Sequence, residues 1–128
     1  MVKIQYASDL HLEFIENTLF LENHPIQPVA DILVLAGDIG YLGDEGFLKH
    51  PFWDWASENF KQVIVIPGNH EFYKGYDLGK LYDGWFLDIR PNVKCYYNAV
   101  IHLSEDTDLI VSTLWGHIEP KDAFATER

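Results

Sequence analysis

Three short clusters in this chain carry the donor atoms that hard and borderline divalent cations take: Asp9 with His11, Asp38, and Asn69 with His70. Carboxylate oxygen, amide oxygen and imidazole nitrogen suit manganese, iron, zinc or magnesium, and donor type alone does not choose among them. In Asp9-Leu10-His11, the alternation of an extended strand end is expected to point both donors the same way. Asp38 follows Gly37, where the backbone can turn sharply and bring a carboxylate forward. That carboxylate has two oxygens and can bridge two ions, whereas Asn69 adds a neutral oxygen that limits negative charge. Each cluster alone has an ordinary alternative. An Asp-x-His triplet arises by chance, Gly-Asp after a strand is a common turn, and Gly-Asn-His-Glu also reads as a turn before a helix cap. Turn chemistry does not explain why each cluster directly follows an apolar run.

Those runs are the elements that must position the donors. Residues 2–7 form a short mixed run, while Ile32-Leu33-Val34-Leu35-Ala36 and Val63-Ile64-Val65-Ile66 are continuous and largely β-branched. Runs of that kind predict strands buried on both faces of a covered sheet. Chemistry-bearing side chains in α/β proteins are often held at the carboxyl ends of strands, where loops converge. Residues 45–60 predict one or two short helices, with Pro51 placed where a first helical turn tolerates it. Residues 73–89 are ambiguous, because Gly75, Gly79 and Gly84 weaken a helical reading. Three further strands are predicted over residues 93–96, 99–103 and 109–114, with Asn98 and residues 105–108 supplying the turns.

Ser8-Asp9-Leu10-His11-Leu12-Glu13-Phe14, Leu35-Ala36-Gly37-Asp38-Ile39 and Pro67-Gly68-Asn69-His70-Glu71-Phe72-Tyr73 resemble the first three motifs of the calcineurin-like metallophosphoesterases. Ser112-Thr113-Leu114-Trp115 resembles a later segment of the same family. The resemblance implies an α/β fold, part of a four-layer αββα sandwich with mixed β-sheets. It implies a hydrolase of phosphate monoesters or diesters that uses two divalent metal ions and a hydroxide bridging them. By the same resemblance, Asp9 and His11 bind the first ion, Asp38 bridges, and Asn69 binds the second. His70 lies beside the ions and acts on the substrate as the catalytic group.

The family's later motifs, a further histidine after a strand and a Gly-His-x-His, are absent from these 128 residues. Residues 1–128 are therefore expected to be a single domain that is carboxyl-terminally incomplete. A half sandwich would expose apolar sheet surface and favour self-association. The absent motifs also leave open a non-catalytic metal- or phosphate-binding module, or a protein-interaction remnant of the fold. His117 follows the last predicted strand and is the remaining histidine that could reach the site, as a substrate-binding group. His24 and His50 each precede a proline in loop-like sequence and are expected to be exposed, and His102 to be structural. Glu13, Glu71, Asp106 and Asp108 read as solvated charges, and Cys95 as a buried, inert thiol.

Bulk composition excludes several classes of function. Nine basic against 20 acidic residues give a net charge of −11, which disfavours nonspecific nucleic-acid binding but not a phosphorylated substrate. The apolar runs are far shorter than the roughly 20 residues that a membrane span needs. The first residues are too polar for a signal peptide, and a single cysteine predicts a reducing, cytoplasmic setting.

Overall fold

The computed structural model describes residues 2–41, 46–68 and 84–112. Their elements run β1 (Ile4–Ala7), α1 (Ile15–Asn23), β2 (Ile32–Ala36), α2 (Pro51–Asn59), β3 (Gln62–Ile66), β4 (Trp85–Arg90), β5 (Val93–Tyr97), β6 (Ala99–Ser104) and β7 (Thr107–Val111). Strands β1 to β5 form one sheet in the order β1-β2-β3-β5-β4, parallel except for β4, and β6 and β7 form an antiparallel hairpin. This is the mixed α/β architecture expected from the sequence.

Side-chain alternation divides the sheet residues between two cores. On one face Leu33, Leu35, Val63, Val65, Val93 and Cys95 pack against Phe52, Trp53 and Ala56 of α2. On the other, Ile32, Val34 and Ile64 meet Ile101 and Val111 of the hairpin. Both faces of the central strands are thus covered, which is why they read as unbroken apolar runs. Burial of each such side chain contributes about 1.5–3 kcal/mol. Coverage ends at the edges: Tyr6 is 80% exposed, and Val100 and Ile110, opposite each other on the outer face of the hairpin, are 57% and 79% exposed.

Two elements were not legible beforehand. Strand β4 falls in the glycine-containing stretch and is defined by antiparallel pairing with β5, from Trp85 opposite Tyr97 onward. Helix α1 buries no residue fully and leaves Ile15, Leu19 and Phe20 exposed, so no helical stripe marks it. It is anchored by Leu21 against the first core and by two side chains that reach back to the preceding loop. Asn17 Nδ2 donates to the His11 carbonyl at 3.1 Å, and Thr18 Oγ1 to the Leu12 carbonyl at 3.1 Å. The turn between β6 and β7 is tighter than expected, since Thr107 and Asp108 already belong to β7. Asp108 pairs across the hairpin with exposed His102. Such a surface pair contributes at most about 1 kcal/mol.

His50 is half-buried rather than exposed, because it caps α2. Pro51 occupies the first turn, and the His50 Nδ1 lone pair accepts from the Phe52 N–H at 3.1 Å. Thr18 Oγ1, already donating to Leu12, lies 3.1 Å from His50 Nε2 and so accepts its hydrogen. Acceptance at Nδ1 requires the neutral ring, whereas donation from Nε2 does not. Burial lowers the His50 pKa, opposed by the nearby Glu22 carboxylate. Because the folded value lies below the unfolded one, this contribution is complete above about pH 6.5 and is lost as pH falls through the folded pKa. Acidification below about pH 6.5 is expected to erode a cap worth about 1 kcal/mol. His50→Asn keeps a capping acceptor but cannot titrate, so its thermal melts should show a shallower acid slope. Identical slopes for the two proteins would refute the role.

Candidate metal centre

Strands β1, β2 and β3 are parallel neighbours, so their carboxyl ends lie on one sheet edge. The loops that leave them are tied together by backbone bonds. The N–H groups of Asp9, His11 and Leu12 donate to the carbonyls of Gly37, Asp38 and Ile39 at 3.0, 3.0 and 2.7 Å. This ladder extends the β1–β2 pairing past the ends of both strands and fixes the first donor cluster against the second.

Asp9, His11 and Asp38 all have positive φ, at 57°, 47° and 57°. The donors of the first cluster therefore converge through left-handed backbone in a loop. The strand alternation anticipated for Asp9 and His11 does not operate, because β1 ends at Ala7. Asp and His are among the residues that tolerate this region, at about 1–2 kcal/mol each, and strain of this kind gathers at functional sites. Gly37, with φ of 93°, makes the sharp turn anticipated for it.

Donor atoms of Asp9, His11 and Asp38 all lie within 4.8 Å of one another. His11 Nε2 is 3.7 Å from Asp9 Oδ1. Two ligands that each sit about 2.1 Å from an ion can be no more than about 4.2 Å apart, so this pair is already within reach of a shared cation. The Asp38 carboxylate rests in a cradle left by a missing side chain. A Cβ on Gly68 would lie 2.6 Å from Asp38 Oδ1 and 2.8 Å from its backbone nitrogen. Donor chemistry, spacing and cradle together fit a divalent metal.

One functional residue departs from its sequence reading. Glu13 is not a solvated charge: its side chain is 3% exposed, and its Oε1 lies 3.1 Å from His11 Nδ1. A Glu two residues after a histidine carries no local signal of burial. Residues distant in sequence decide it, since Gly40, Tyr41, Phe47, His50 and Trp53 line the same small cavity as Leu12 and Glu13. The single cysteine, Cys95, is fully buried as expected. Asn69, His70 and His117 lie outside the described residues.

A family model for calcineurin-like phosphoesterases matches residues 2–122. The chain belongs to the calcineurin-like phosphoesterase family. Its mostly parallel sheet between helices and a second β-layer agrees with the sandwich expected of that family. At the level of the family this means metal-dependent hydrolysis of phosphate esters. An uncharacterized protein of Acanthamoeba polyphaga mimivirus is 33% identical over 135 residues, covering 90% of this chain. The chain spans 45% of that relative's length. No solved structure matches it. No helix among the described residues is long and apolar enough to cross a membrane.

Proposed function

We propose that this chain supplies the metal-binding and substrate-facing part of a dinuclear hydrolase of phosphate monoesters or diesters. The observation that carries the reading is the convergence of Asp9, His11 and Asp38 at the shared carboxyl edge of β1 and β2. Asp9 and His11 hold the first ion through a carboxylate oxygen and Nε2. Asp38, whose carboxylate has two oxygens, would be the shared ligand, and Asn69 would serve the second ion. Two divalent ions about 3.5–4 Å apart lower the pKa of water and neutralise charge on phosphoryl oxygens. His70 holds a proton for the leaving oxygen or for charge developing on the phosphoryl group. His117 contributes to substrate binding. The buried, single Cys95 supports a reducing compartment such as the cytoplasm.

Hydrolysis of an aryl phosphodiester in the presence of Mn²⁺, with bound metal measured in parallel, tests this reading. His11→Ala is expected to lose metal and turnover together. His70→Ala is expected to keep its metal and lose about 10²–10⁴-fold in turnover, the range typical of a general acid. Equal loss of metal and turnover in the His70 variant would make that residue a ligand instead. Stoichiometric metal without turnover in the wild type would favour the non-catalytic binding module. Neither metal nor turnover would sink the proposal.

A further inference from the structure

We propose that Glu13 is a positioning residue that selects which nitrogen of His11 faces the metal. The proposal rests on the metal reading of Asp9, His11 and Asp38. A neutral imidazole carries one hydrogen, and the nitrogen that binds a cation must be the bare one. Here Nε2 points toward Asp9, 3.7 Å from its Oδ1, while Nδ1 points toward Glu13 Oε1 at 3.1 Å. A carboxylate accepts hydrogen bonds. Contact with Glu13 therefore places the hydrogen on Nδ1 and leaves the Nε2 lone pair directed at the donor cluster.

The arrangement is held on both sides. Leu12, between the two residues, is buried, and its N–H donates to the Ile39 carbonyl at 2.7 Å. The His11 carbonyl is held by Asn17 Nδ2, and the Phe14 ring lies 6.2 Å from the imidazole, centroid to centroid. Glu13 is withdrawn from water, where a carboxylate is costly unless it is hydrogen-bonded. In that setting its bond to the ring is strong and strongly directional. A cation on Nε2 would polarise the ring and strengthen the Nδ1–H bond further, so Glu13 and the ion favour each other.

Nitrogen-15 NMR of the His11 ring in the metal-free wild type is the direct test, because protonated and bare imidazole nitrogens resonate far apart. The expected result is hydrogen on Nδ1 and a bare Nε2; hydrogen on Nε2 would overturn the proposal without any variant. Mn²⁺ titration by calorimetry supplies the second readout. Glu13→Ala is expected to weaken binding about 10–100-fold, as loss of such a partner does elsewhere. Glu13→Gln, whose amide oxygen still accepts the Nδ1 hydrogen in the same volume, should recover most of that loss. The two failures are separable. Absence of Mn²⁺ binding by the wild type sinks the metal reading, whereas Mn²⁺ binding indifferent to Glu13 overturns the positioning role alone.

Discussion

Gly68→Ala is expected to cost this protein its metal affinity without replacing a single donor residue. The added methyl would stand 2.6 Å from Asp38 Oδ1 and 2.8 Å from Asp38 N, both far inside van der Waals contact. A flexible side chain could swing aside, but the backbone nitrogen cannot move alone. It belongs to the loop whose carbonyls at Gly37, Asp38 and Ile39 accept the N–H groups of Asp9, His11 and Leu12. Shifting Asp38 therefore disturbs the whole donor cluster. Overpacking of this kind costs about 1–3 kcal/mol in stability. Displacement of a direct ligand should exceed the about 10–100-fold affinity loss seen for residues one step removed from a metal. Calorimetric Mn²⁺ titration and thermal melts of the metal-free protein measure the two effects separately. Binding at wild-type affinity would show that the close approach of the β2 and β3 loops is not what places Asp38.

The largest effect on stability is expected at Trp53. Its side chain is fully buried, its indole N–H donates to the Phe47 carbonyl at 2.7 Å, and its ring centroid lies 5.4 Å from Phe47 and 5.3 Å from Phe52. Trp53→Ala should cost about 3–5 kcal/mol, a large part of the total for a domain of this size. Trp53→Phe retains most of the apolar volume but strands the Phe47 carbonyl, at about 1–3 kcal/mol. Urea unfolding of the two variants separates packing from hydrogen bonding, and equal midpoints would refute the packing argument. The site should sense the change as well. Phe47 packs so closely on Gly40 that a Cβ there would lie 3.1 Å from its ring, and Gly40 follows Asp38 and Ile39 in the same loop. Weaker Mn²⁺ binding by Trp53→Ala than by Trp53→Phe is the expected companion result.

The remaining anchors of α2 are long-range. Arg90 of β4 donates from Nε to Asp54 Oδ1 and from Nη1 to the Leu48 carbonyl, each at 2.8 Å. The Arg90 side-chain bond holds the Asp54 carboxyl below its ordinary pKa. At the other end, Asn92 Nδ2 accepts nothing and donates to the carbonyls of Ser57 and Phe60, both at 2.9 Å, closing the helix. Arg90 at the end of β4 and Asn92 in the β4–β5 turn thus hold both ends of the helix that backs the candidate site.

What the sequence determined by itself was periodicity, donor type and order. Unbroken apolar runs announced β2 and β3, because strands covered on both faces need apolar residues at every position. Asp9, His11 and Asp38 were legible as donors because each sits directly beyond such a run, and the run must end where its loop begins. Family membership followed from the same three segments. Tertiary structure alone decided which charges leave water and which backbone turns left-handed. Glu13 and His50 looked like surface residues, since burial depends on what folds over them from distant positions: Gly40, Tyr41, Phe47 and Trp53 for the one, Thr18 for the other. Strand β4 needed β5 beside it to exist, and α1 is held by bonds to a loop and by Leu21 more than by any apolar face of its own. The donors were written locally; their convergence within 4.8 Å arises from two loops that the parallel pairing of β1 with β2 brings to one edge.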